Sequence, residues 1–182
     1  MPVHDTRSAS GPGSLSGDAA IEVLTRASDR FLSCLDGIGA DQWGFHPSPG
    51  AWSPSEITEH TVFALRSFAG VLRDRLTPLT EPVMLADVEI PYFFYGGDEA
   101  PTTGAPTGRW TDIGRARASF RSAADSIAEW QAACRDDLRA LGFSHPSYGL
   151  LDGTQWILFA AAHTARHRAQ LVDVQACTDY PR

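Results

Sequence analysis

Apolar and small residues recur at steps of three and four from Asp18 onward. Ile21, Leu24, Ser28, Phe31, Leu35 and Ile38 fall on one face of a helix, and Gly37 and Gly39 offer its stop. A second helix begins at Ser53, whose hydroxyl cap is followed by Pro54 at the first helical position and Glu56 as the reciprocal third-position partner. Its stripe runs through Ile57, Thr61, Ala64, Phe68 and either Val71 or Leu72 to about Leu76, with His60 beside it. A third pattern opens near Asp112 and passes through Ala116, Phe120, Ala123, Ile127, Trp130, Cys134 and Leu138 before Gly142 ends it. Asp152 and Gln155 repeat the reciprocal cap, and the last helix carries Trp156, Ala160, His163, His167, Leu171 and Val174 on one stripe.

Three stretches resist a helical reading. Residues 1–17 are rich in Gly, Ser and Pro with little to bury, and read as a flexible leader before a single domain over 18–177 and a short tail, 178–182. DQWGFHPSPGAW reads as a connection whose Trp43, Phe45 and Trp52 pack on the domain, with His46 ambiguous. Residues 77–111 hold five prolines and the tract IPYFFYGGDEAP, too long for an ordinary link, which predicts a crossover, a covering loop or a small insertion. Four long helical patterns without convincing alternating strands predict an all-α four-helix bundle. The long link crosses the bundle and leaves helices two and three parallel, while the shorter outer links favour antiparallel neighbours.

Composition narrows the function classes. The chain of 182 residues carries 15 basic against 22 acidic residues, a formal charge of −7, and every basic residue is arginine. Without lysine there is no Schiff-base amine and no Walker-type phosphate loop. The negative balance argues against nucleic acid as a partner, and nothing approaches 18 uninterrupted apolar residues, so no membrane partner is expected. Cys34, Cys134 and Cys177 are too widely separated for a thiolate metal motif and too few for a disulfide framework, which suits a reducing compartment. The opening residues lack the apolar run of a signal peptide, so the expectation is a soluble, cytoplasmic protein.

HTARH places His163 and His167 at i and i+4, one turn apart on one face, where two ring nitrogens can reach a single ion. An i,i+4 pair by itself also fits hydrogen-bonded core histidines or a polar edge of the bundle. Here the pair lies among Ala160, Leu171 and Val174, and His60 supplies a third imidazole from another core-facing stripe. Buried imidazoles without partners carry a desolvation cost.

The blocks PGAWSPSEITEH, ending in His60, and HTARHRAQL, containing His163 and His167, resemble the DinB/YfiT-like superfamily of small metal-binding bundles over roughly residues 18–177. The resemblance implies an up-down-down-up bundle, a homodimer, and His60, His163 and His167 as ligands of one divalent ion, zinc or nickel foremost. It further implies a metal-dependent enzyme acting on a small molecule, such as a transferase using a low-molecular-weight thiol. A hydrolase activating water is open on the same site. The alternative is a non-enzymatic, metal-stabilised binding or dimerisation module.

Further site candidates are graded by what else explains them. Arg166 and Arg168 flank His167 and offer guanidinium forks to a carboxylate or phosphate of the substrate, or simply face solvent. Gln170 stands near the histidine stripe and could orient a ligand. Tyr92 and Tyr95 in the long connection could close over the metal or anchor the core. Glu59 precedes His60 but points about 100° away around the helix, which disfavours it as a base. Capping explains Glu56 and Asp152, and packing explains Cys134.

Overall fold

Every long helix starts where a side chain relieves the orphan amides of its first turn. In the computed structural model, which describes residues 14–94 and 104–182, Ser16 accepts from the amide of Ala19 to open α1, Gly17–Ser33. Ser53 and Glu56 form the reciprocal box of α3, Pro54–Asp74, with Pro54 at its first position. Asp112 accepts from Arg115 to start α4, Ile113–Ala133. Asp152 and Gln155 form the box of α5, Gly153–Gln175. Between α1 and α3 the connection contains one helical turn, α2, Ala40–Trp43. Leu15 and Ser16, counted with the leader in the sequence, belong to the folded unit: the Leu15 amide donates to Asp87 at 2.8 Å. At the other end Tyr180 packs edge-on against Phe45.

Two boundaries differ from the sequence expectation. The third helix stops at Ala133, not near Leu138. Cys134 takes extended backbone, and the Asp137 carboxylate accepts from the Arg139 amide 2.9 Å away, a local turn that outcompetes another helical turn. Leu138 is buried all the same, so helical spacing persisted past the helix itself. Beyond it lies a small antiparallel sheet that the sequence reading did not anticipate, in the order β1 (Thr77–Pro78), β2 (Leu141–His145), β3 (Gly149–Asp152). In the β2–β3 hairpin Phe143 faces Leu151 and His145 faces Gly149. Gly142 lets the three strands close up: a Cβ there would meet the Leu79 side chain and stand 2.9 Å from the Leu151 carbonyl oxygen.

The direction of each helix follows from the contacts at its ends. At one end of the bundle β1, following α3, pairs with β2, which follows α4 and leads through β3 into α5. Asp18 at the start of α1 accepts from Gln131 near the end of α4, at that same end. At the opposite end Arg117 of α4 donates to the Leu32 carbonyl of α1, and Gln175 of α5 donates to the carbonyl of Cys34. Hence α1 and α5 run one way, α3 and α4 the other, an up-down-down-up bundle. Around its circumference the neighbours are α1–α5, α5–α3, α3–α4 and α4–α1. The core includes Phe31 of α1 stacked on Phe120 of α4 at 4.4 Å, with Ile57, Leu65, Ile127, Ile157 and Leu171 fully enclosed.

The sheet end is tied by a buried charge cluster. Arg139 donates to Asp87 at 2.9 Å, to Asp152 at 2.8 Å and to the Leu15 carbonyl at 2.6 Å, and it makes a further short contact with the second oxygen of Asp87. Gln155 donates to the Leu85 carbonyl at 2.7 Å. The cluster thus joins the start of α1, the 3-10 segment Asp87–Phe94, the post-α4 turn and the cap of α5.

Candidate metal centre

The α3 stripe that packs on α5 carries His60, and the facing stripe of α5 carries His163 and His167. One nitrogen from each ring lies within 4.8 Å of the other two. Nε2 of His163 and Nε2 of His167 are 3.3 Å apart. Two nitrogens each about 2.0–2.1 Å from one tetrahedrally ligated ion would stand roughly 3.3–3.4 Å apart, so this donor pair has the spacing that such an ion requires.

Outer partners set which nitrogens face inward. Nδ1 of His60 lies 2.8 Å from the carbonyl oxygen of Gly104. A carbonyl can only accept, so the proton sits on Nδ1 and the Nε2 lone pair stays available. Nδ1 of His167 donates in the same way to the Gln170 side-chain oxygen at 2.9 Å. Such second bonds fix the tautomer and ring angle of a histidine ligand. The indole of Trp52 covers the His60 ring at 4.8 Å and the His167 ring at 6.2 Å, and Phe68 meets His163 edge-on at 5.5 Å. His60 and His167 are buried, and His163 retains some exposed surface.

The electrostatics favour neutral rings. Burial foremost, then the nearby His60 and to a smaller extent Arg166, against the opposing Gln170 bond, together lower the pKa of His167 from 6.5 to about 3. His163 is driven well below its ordinary value by burial, then by His167, His60 and Arg166. Burial also lowers His60, with the Gly104 bond resisting. All three therefore present lone pairs at neutral pH, the form that a metal binds.

A sign follows for acid stability. Because the folded pKa values are depressed, the contribution of these rings is complete above the unfolded value of 6.5 and drains as the pH falls from there toward about 3 for His167. Urea unfolding of metal-free protein is expected to show a loss of about 2 kcal/mol from His167 alone between about pH 7.5 and about pH 5. An unchanged midpoint and slope would contradict that burial-driven shift.

The other sequence candidates divide. Gln170 accepts from the His167 ring itself; if the triad holds zinc, Gln170→Leu is expected to weaken its binding about 10–100-fold in chelator competition while the helical circular dichroism is retained. Arg166 is half-buried, with its charge felt at His163 and His167, whereas Arg168 is exposed. Tyr95 lies outside the described residues, as does the side chain of Tyr92. Glu56 and Asp152 cap their helices, and Cys134 caps the end of α4. His46 bonds the Ala51 carbonyl within its own connection. The sequence reading assigned no site role to Trp52 or Gly104 and weighed Glu59 only as a base. In the structure the buried Glu59 carboxylate binds the backbone of Thr107 and Gly108 in the chain segment that covers His60. The glycines of GAPTG, at 104 and 108, were the available signal.

Fold and cluster together define a class, the small helical bundles that gather three histidines between two antiparallel helices. The profile of the DinB superfamily matches residues 24–171, and the chain belongs to that superfamily. A comparison with curated protein sequences finds no match. Among solved structures, the crystal structure of TT2238, a four-helix bundle protein, is 22% identical with a TM-score of 0.59, covering 87% of this chain and 99% of its own. YfiT from Bacillus subtilis, described as a probable metal-dependent hydrolase with an unusual four-helix bundle topology, is 15% identical with a TM-score of 0.58, covering 94% of each chain. These two likenesses concern the fold.

Proposed function

We propose that the chain is a metal-dependent enzyme acting on a small molecule, with His60, His163 and His167 holding one divalent ion, zinc or nickel. The observation that carries this reading is the convergence of three neutral imidazoles within 4.8 Å, two of them aimed by outer hydrogen bonds. When bound, such an ion supplies Lewis acidity at a position left free by three protein ligands, lowering the pKa of a low-molecular-weight thiol or of water. The description of YfiT supports water as the nucleophile, and the family resemblance supports a thiol.

The chain's own groups prepare the remainder. Trp52 and Phe68 shield the triad from bulk water on two sides. Arg166, whose charge is felt at His163 and His167, offers a guanidinium to an anionic group of the substrate. The setting we propose is a cytoplasmic homodimer; the three cysteines are free thiols, and among the described residues no helix is long and apolar enough to cross a membrane.

The test is metal content by elemental analysis of untagged protein reconstituted with zinc or nickel. It is followed by turnover assays pairing several thiols with electrophiles, and by ester and amide hydrolysis. One ion per chain with metal-dependent product is expected. Folded protein that takes up no divalent ion would overturn the proposal, and stoichiometric metal without turnover across the panel would favour a binding or dimerisation module.

A further inference from the structure

Glu59 is adjacent to His60 in sequence, yet its side chain leaves α3 on a different bearing and meets residues 107–108. It is only 9% exposed and accepts three hydrogen bonds: from the amides of Thr107 and Gly108, each at 3.0 Å onto one oxygen, and from the Thr107 hydroxyl onto the other. Two consecutive amides turned toward one anion form a small concavity, and the chain turns away directly after it at Gly108, which has φ +70°. Gly104, a few residues upstream, has φ +94°, and a Cβ there would stand 3.0 Å from the Phe63 ring. Pro106 stiffens the three residues between the two glycines. The outcome is the Gly104 carbonyl set 2.8 Å from Nδ1 of His60.

We propose that Glu59 is a positioning residue for the triad: it clamps residues 107–108 and so holds the Gly104 carbonyl that aims His60 at His163 and His167. This inference rests on reading the triad as a metal site and says how one ligand is oriented. The carboxylate is occupied by three donors from the covering segment, which is why it serves geometry and not proton transfer.

The experiment compares full-length Glu59→Ala, Glu59→Gln and Gly104→Ala with the unaltered chain. A glutamine can take both amides on its oxygen and donate to the Thr107 hydroxyl, keeping the clamp without the charge. Zinc affinity in chelator competition is expected to fall about 10–100-fold in the two alanine variants and to stay within about threefold in Glu59→Gln. Nitrogen-15 shifts of His60 in metal-free protein report which ring nitrogen is protonated. They are expected to show Nδ1–H in the unaltered chain and in Glu59→Gln, and a tautomer mixture in the alanine variants. Alanine variants that retain both affinity and the Nδ1–H signal would overturn the proposal. So would a Glu59→Gln loss as large as that of Glu59→Ala, which would assign the effect to charge. Should Glu59→Ala not fold, Gly104→Ala probes the same path from its other end. An unaltered chain that binds no zinc while the alanine variants still shift the tautomer would reject the metal site and support the coupling of Glu59 to His60.

Discussion

His167→Ala is expected to lower divalent-ion affinity by more than about 100-fold, beyond what loss of an outer partner costs. The residue contributes one of the two nitrogens standing 3.3 Å apart, and no other described Asp, Glu, Cys or His group joins the cluster to replace it. Any metal-dependent turnover should fall with metal occupancy. The fold is expected to survive, since Ala160, Leu171 and Val174 on the same stripe keep α5 packed. A second signature distinguishes this variant from simple damage. In the metal-free protein, loss of a ring whose pKa is held near about 3 removes its share of the acid sensitivity, so the stability-versus-pH curve should flatten between about pH 6.5 and about pH 5. Isothermal titration with zinc and urea unfolding at several pH values read the two effects separately. Unaltered affinity would remove His167 from the ligand set.

Arg139→Met is expected to be the most destabilising single change outside the apolar core, at about 3–5 kcal/mol. The guanidinium lies between two nearly buried carboxylates, with Asp87 6% and Asp152 7% exposed in their side chains. Removing it leaves two like charges in a poorly solvated place and also frees the Leu15 carbonyl. In a domain of this size that loss corresponds to a melting-temperature decrease of roughly 6–20 °C. Arg139→Lys should fall between, because an ammonium cannot span both carboxylates with a planar fork. Equilibrium denaturation checks the order; a shift under about 1 kcal/mol in Arg139→Met would show that the cluster is effectively solvated.

Helix starts and the faces that carry the three histidines were legible in the chain because both depend on local spacing. Ser53–Pro54–Glu56 and Asp152–Gln155 mark their amino ends through reciprocal caps, and His60, His163 and His167 fall on inward stripes at helical period. Helix ends were less legible. Leu138 continues the period of Phe120 and Ile127 and is buried, but it reaches the core from a turn, because the Asp137 side chain captures the Arg139 amide. The small sheet was hidden for a related reason: β1 is two residues long, and β2 alternates around a glycine whose importance lies in close approach to Leu79 and Leu151. Within the site, the tilt of the His60 ring depends on a carbonyl 44 positions away. No periodicity encodes a contact of that range, although two glycines bracketing Ala-Pro-Thr hinted at a constrained turn.

The parallel course of α3 and α4 has an evolutionary implication. A helix of 21 residues is about 30 Å long, so chain leaving the end of α3 has to travel that distance back before α4 can begin. Its last portion, from Gly104 to Trp110, lies along the amino-terminal half of α3, held by Glu59 and Ser55 beside the histidines. The three histidines themselves belong to helices, yet this last portion carries the Gly104 carbonyl that sets the His60 ring, and the portion nearer α3 carries Asp87, tied through Arg139 to the cap of α5. Descendants of such a bundle can therefore rewrite the chain between those two ties to admit new molecules while inheriting the same three imidazoles.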